Sequence, residues 1–201
     1  TTTVTSDEFN KIDASAFTGK LALTFDEAVA MDATGGSGDD NLIFSGNNFS
    51  SLDKFDGGAG TDTLTIATAI TAATDLKNVT NVEVLEVTGA NNVTLAADAN
   101  VMTFDFTATT DQQLTLSTGV TGAVTVTIGN TGDDDIVNSA NVPLTVKGAA
   151  DHIDDQDLLT GGTGTDILEI TPDTDQATED SIGIAARNIT NFDKILVIDN
   201  G

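Results

Sequence analysis

Short runs in which a polar residue, often Thr, alternates with Val, Ile or Leu recur along the whole chain. LTIATAI, VEVLEV, LTLS, AVTVTI, LTVK, ILEI and KILVI are all rich in β-branched residues, and Gly, Asn or Asp bounds each one. That period of two predicts strands with one face buried and the other wet. Helical periodicity is weak: the two helix candidates are SDEFNKI from residue 6 and TDQATEDSIGIAARNI over 174–189, the latter interrupted by Gly183. Gly and Asn do most of the turning, helped by only two prolines, Pro143 and Pro172.

Strands this short fit either a sandwich or a solenoid. The Gly-rich turns at 35 and 57 lie 22 residues apart, close to one circuit of two strands and two turns. Asp134, Asp151 and Asp166 follow at intervals of 17 and 15, which read as further rungs. Recurrence at that interval favours a solenoid, because stacking places similar turns above one another. The fold class expected is therefore an all-β solenoid.

Internal similarity divides the chain. TGKLALTF (18–25) aligns with TGAVTVTI (121–128), GGAGTDTLTI (57–66) with GGTGTDILEI (161–170), and LKNVTNVEVLEV (76–87) with ARNITNFDKILVI (186–198). The pairs are offset by 103, 104 and 110 residues in the same order. Two diverged copies of a unit of roughly a hundred residues are expected, 1–100 and 101–201, forming one continuous domain. Residues 1–9 are a candidate irregular lead-in.

Composition changes the picture through its charge. The 201 residues carry 32 acidic and 7 basic side chains, a net charge of −25. Such a chain cannot neutralise phosphates, so nucleic acid is excluded as a partner, and an anionic membrane surface would repel it. Twenty-six of the acids are Asp and six are Glu. Glu would suit solvated helices, whereas Asp belongs in turns, beside backbone carbonyls that bind hard cations. There is no cysteine, hence no disulfide or thiolate metal site, and no apolar run long enough to span a membrane. The chain begins TTTVTSDEF, without Met or a signal sequence, as a processed or excised piece would.

Four segments fit one template, G-G-x-G-x-D-x-U-x with U a large aliphatic residue. They are GGSGDDNLI (35–43), GGAGTDTLT (57–65), GNTGDDDIV (129–137) and GGTGTDILE (161–169). The third has Asn130 in place of the second Gly, and GAADHI (148–153) is a degenerate, shorter fifth. Calcium takes six to eight oxygen ligands, and glycine lets backbone carbonyls turn toward one point. The sixth-position Asp supplies charge, and the eighth-position aliphatic residue is expected to turn inward. One turn gives half a shell, so each ion would sit between two stacked turns, and binding would be coupled to folding.

The template resembles that of the RTX, or hemolysin-type, calcium-binding repeats. The resemblance implies a parallel β-roll with calcium between turns. It implies Asp40, Asp62, Asp134 and Asp166 as side-chain ligands, with carbonyls of the turns opened by Gly35, Gly57 and Gly161 completing the shells. Asp39, Asp56, Asp133, Asp151, Asp154 and Asp155 are candidates to fill unpaired shells. Unlike the family's long tandem arrays, these nonapeptides are isolated. The intervening segments, such as NVEVLEVTGANNVTLAA, are similar to repeats of RTX-type bacterial surface-layer proteins and large RTX adhesins. Such a resemblance implies type I secretion and a place at the cell surface. Three or four ions, each contributing about 1.4 kcal/mol at ten times the dissociation constant, would supply about 4–6 kcal/mol, and their removal is expected to loosen the chain.

Other chemistry is weakly signalled. His152, the only histidine, has no Ser or Cys elbow to serve, and is expected beside a calcium shell rather than in it. Paired carboxylates for glycoside hydrolysis lack aromatic sugar platforms, since Trp and Tyr are absent. DTDQATED (173–180) reads as a polar loop, the pairs Asn78/Asn81 and Asn188/Asn191 as turn caps, and the scattered Thr-x-Thr pairs as wet sheet face. The reading is therefore a non-enzymatic, secreted structural protein, a calcium-dependent module of a surface layer that self-associates into a lattice or filament. A cell-surface polysaccharide is a further candidate partner. The alternatives are a calcium-rigidified adhesin segment and the repeat portion of a secreted enzyme.

Overall fold

A computed structural model describes residues 2–6, 9–25, 29–45, 49–67, 76–88, 92–95, 103–107, 111–129, 132–150, 152–153, 155–171 and 188–198. These residues form strands and turns, with no helix among them. Every strand pairing is parallel, and the chain coils as a β-solenoid.

The odd-numbered strands build one continuous sheet of ten. Its first half is β1 (Thr2–Ser6), β3 (Leu21–Phe25), β5 (Asn41–Phe44), β7 (Thr63–Ile66) and β9 (Val84–Val87). Its second half is β11 (Thr103–Phe106), β13 (Val124–Ile128), β15 (Leu144–Ala149), β17 (Ile167–Thr171) and β19 (Lys194–Val197). The even-numbered strands form the opposite layer as two sheets. One holds β2 (Lys11–Asp13), β4 (Asp32–Thr34), β6 (Lys54–Asp56) and β8 (Val79–Thr80). The other holds β10 (Asn92–Leu95), β12 (Gln113–Leu116), β14 (Asp135–Asn138), β16 (Leu158–Thr160) and β18 (Ile189–Thr190).

The alternation read from the sequence sets which residues face inward. Parallel register stacks Leu23, Leu42, Leu64, Leu85, Phe104, Val126, Val146 and Leu168 in one column through the long sheet. All of them are buried. Each such side chain contributes about 1.5–3 kcal/mol through the apolar surface it removes from water. A second column places Phe25 over Phe44, with ring centroids 5.3 Å apart. Leu42, Leu64, Ile136 and Leu168, the eighth residues of the four nonapeptides, are all buried, as the template requires. The polar positions between them face outward and pair across rungs, as Lys147 does with Glu169 at 3.1 Å.

Two expectations change. The helix candidate from residue 6 is strand at Lys11–Asp13, because Ile12 aligns with Ala33 in the neighbouring rung. The supposed lead-in contains β1, which extends the long sheet beside β3. The second helix candidate and DTDQATED fall largely or wholly outside the described residues.

Candidate functional site: the aspartate corners

Each circuit turns two corners, one entering the long sheet and one leaving it. At a corner the strand-to-strand ladder stops, so the N–H beginning the next strand has no ladder carbonyl to bond. A buried N–H left unbonded costs about 1–3 kcal/mol. Here a carboxylate from the following rung supplies the acceptor.

At the entering corner, Leu21 N–H donates to Asp40 Oδ1 at 2.8 Å, and Asp40 N–H donates to Asp62 Oδ1 at 2.7 Å. Asp62 N–H in turn donates to Glu83 Oε2 at 2.8 Å. Further along, Leu144 N–H donates to Asp166 Oδ1 at 2.9 Å and Asp166 N–H to Asp193 Oδ2 at 2.8 Å. At the leaving corner, Met31 N–H donates to Asp53 Oδ1 at 2.7 Å. Gln112 N–H reaches Asp134 Oδ1 at 2.9 Å, and Asp134 N–H reaches Asp157 Oδ1 at 3.0 Å.

The second oxygens are also engaged at several sites. Gly36 N–H donates to Asp40 Oδ2 at 2.7 Å, and Gly162 N–H to Asp166 Oδ2 at 2.8 Å. Asn138 Nδ2 adds a 3.2 Å bond to Asp166 Oδ1. Asp62 is the exception: Gly58 N–H, the equivalent donor, turns to Asp56 Oδ1 at 3.2 Å, and Asp62 Oδ2 is buried with no partner. Gly58 has φ +97°, a left-handed conformation that glycine alone adopts without strain.

The acids beside these positions fasten in the opposite direction. Asp39 Oδ1 accepts Thr61 N–H at 2.9 Å, and Asp111 Oδ1 accepts Asp133 N–H at 3.0 Å. Thus the residue pairs 39–40 and 61–62 hold each other reciprocally, as do 111–112 and 133–134. Asp56 Oδ1 also accepts Asn81 Nδ2 at 2.7 Å. Asn81 and Asn191 share left-handed φ values of 51° and 58°. Asn78 Nδ2 donates to Ser51 O and Asn188 Nδ2 to Asp155 O, so these asparagines cap the turns as expected.

The glycines permit the stacking. A Cβ on Gly35 would lie 2.1 Å from Gly57 O, one on Gly57 2.0 Å from Asn81 O, and one on Gly161 2.2 Å from Asn191 O. The same imagined Cβ atoms would meet the carboxylates of Asp40, Asp62 and Asp166 within 2.9 Å. The first glycine of each of these three turns is therefore squeezed between the next rung's carbonyl and the aspartate of its own turn.

Burying carboxylates in columns perturbs them. Burial pushes Asp134 up to about 7 against the opposing Gln112 N–H bond, and Asp157, Asp111 and Asp135 push it further in the same direction. Asp62 is raised by burial first, then by Asp40, Glu83 and Asp39, with the Asp40 N–H opposing. Burial and Asp133 raise Asp135.

The structure brings the predicted residues together only in part. Asp40 and Asp62 stack on adjacent rungs, as their 22-residue spacing requires. Asp134 and Asp166 lie on opposite corners, because the turn at 129–134 leaves the long sheet and that at 161–166 enters it. The stretch from Asp134 to Asp166 thus crosses from one corner to the other, and the rung partner of Asp134 is Asp157, 23 residues on. Asp151 and Asp154 lie outside the described residues, whereas Asp155 is exposed and His152 half-buried. Asp53, Asp157, Asp193, Asp111 and Glu83 belong to the same bonding scheme but were not singled out from the sequence. Their signal was available as an acidic residue just before a strand, repeated at roughly one circuit.

Calcium needs six to eight converging oxygens. Among the described residues no group of three or more Asp, Glu or His side chains converges in that way. The carboxylates of Asp40 and Asp166 have both oxygens facing N–H donors, where a cation would meet positive hydrogens. At these two carboxylates the arrangement does not fit a resident calcium ion.

No family model matches the chain, and no curated protein or solved structure matches it either.

Proposed function

We propose that the chain is a structural, self-associating module of a bacterial surface layer, secreted and working outside the cell. The observation that supports this most directly is the β19 edge of the long sheet. Ile195 and Val197 continue the buried columns of Leu168 and Ile170, yet they are 49% and 60% exposed. They lie on β19, a terminal strand whose outer edge has no pairing partner among the described residues. An open edge with apolar inward positions is a template for another strand.

Assembly by this route has to bring together copies of a molecule with net charge −25. Divalent cations between copies would reduce that repulsion, so calcium enters this reading at the contacts between molecules. The kinship with RTX-type surface-layer repeats rests on the four nonapeptides and is part of the proposal.

Electron microscopy of the purified chain with and without millimolar calcium tests it. Ordered sheets or filaments that need calcium are expected. Persistent monomers in both conditions would refute it and favour a spacer segment instead.

A further inference from the structure

We infer that the aspartates of the Gly-rich turns are fasteners of the coil itself, and that the chain folds with these carboxylates bound to backbone N–H groups and without resident calcium at them. The nonapeptide template does not mark the bonding scheme. Asp53, Asp157, Asp193 and Glu83 lie outside the sixth position of any nonapeptide, yet each accepts a backbone N–H from the preceding rung just as Asp40, Asp62, Asp134 and Asp166 do. A role shared by corners with and without the glycine turn belongs to the corner.

The fasteners also work on the peptide from both sides. Asp40 receives the carboxylate of Asp62 at its N–H, while its own carbonyl accepts Thr63 N–H at 2.8 Å. Asp134 is held likewise, its N–H by Asp157 Oδ1 and its carbonyl by Leu158 N–H at 3.0 Å. Among the described residues the single buried side-chain oxygen without a donor, Asp62 Oδ2, is one atom of the six to eight that calcium takes. Asp56 Oδ1, the acid on the same turn, already accepts from Gly58 and Asn81.

Asp62 offers the cleanest test. Asp62→Asn keeps an oxygen for Asp40 N–H and places an amide where Oδ2 has no donor, while removing the charge a cation would need. Asp62→Ala removes the acceptor altogether. Far-UV circular dichroism and thermal melts of the full chain are compared in excess chelator and in millimolar calcium. With the protein kept dilute enough to stay monomeric, the expected result is a folded β spectrum and the same melting temperature in both buffers. Asp62→Asn should melt no lower than the parent, and Asp62→Ala lower than the parent in both buffers. Collapse of the parent's spectrum in chelator would overturn the inference. So would a calcium-induced rise in the parent's melting temperature that Asp62→Asn abolishes. Assembly is scored separately by microscopy, so a chain that folds in chelator but forms no sheets even in millimolar calcium refutes the proposed function and leaves this inference standing.

Discussion

Replacing Asp134 by Asn should stabilise the protein, and only above a definable pH. In the folded chain the Asp134 carboxyl is held up to about 7 from an ordinary value of 3.8, chiefly by burial. Below the ordinary value it is protonated in both folded and unfolded states. Between the two values the folded chain keeps a proton that the unfolded chain has released, so stability falls as pH rises, and the loss is complete above the folded value. At about 1.4 kcal/mol per unit the full shift corresponds to at most about 4 kcal/mol. Relaxation and screening around the site reduce this to about 2 kcal/mol. Asn keeps an oxygen for Gln112 N–H and carries no charge, so it removes the penalty without removing the bond. For a chain of this length about 2 kcal/mol is a rise of about 4–8 °C in melting temperature. Melts of parent and Asp134→Asn followed by circular dichroism in calcium-free buffer, at about pH 8 and about pH 4, provide the check. The gap should open at the higher pH and close at the lower one. A variant that melts lower at pH 8, or a gap independent of pH, would refute the reasoning.

Asp166→Ala strands Leu144 N–H and Gly162 N–H, at about 1–3 kcal/mol each, so a loss of about 3 kcal/mol or more is expected in denaturant titration. Asp39→Ala is its control, because the Thr61 N–H it releases is exposed to water and the loss should stay under about 1 kcal/mol. Gly57→Ala forces a Cβ to within 2.0 Å of Asn81 O and should destabilise by about 1–3 kcal/mol, read as a lower melting temperature. Gly19→Ala, whose Cβ would stand 3.4 Å from the Phe17 ring, should melt like the parent.

Much of the architecture was legible because a period of two has one physical reading. LALTF and VTVTI each bury alternate residues, and the eighth-position aliphatics turn inward wherever the template occurs. The 22-residue interval between Asp40 and Asp62 likewise translated directly into adjacent rungs. The second corner was not legible. The turn ending at Asp134 fits nearly the same template as the one ending at Asp166, with Asn130 for the second glycine, and local sequence does not say which sheet a turn is leaving. The role of the aspartates was hidden for a related reason. A carboxylate placed after a glycine turn can face carbonyls through a cation or face N–H groups directly. Which of these it meets depends on the neighbouring rung, as Gly36 and Gly58 show by donating to different acids.

The break in the second layer has a mechanical meaning. The hydrogen bonds of a parallel coil run along its axis, so a pull on its ends loads every rung interface in series. Most interfaces resist through two layers at once. Between β8 and β10 the described residues give the second layer no strand pairing, and the load passes through the long sheet alone, where Val84, Leu85 and Glu86 pair with Thr103, Phe104 and Asp105. Tension would open the coil there first, leaving two stiff segments that part at a built-in yield point.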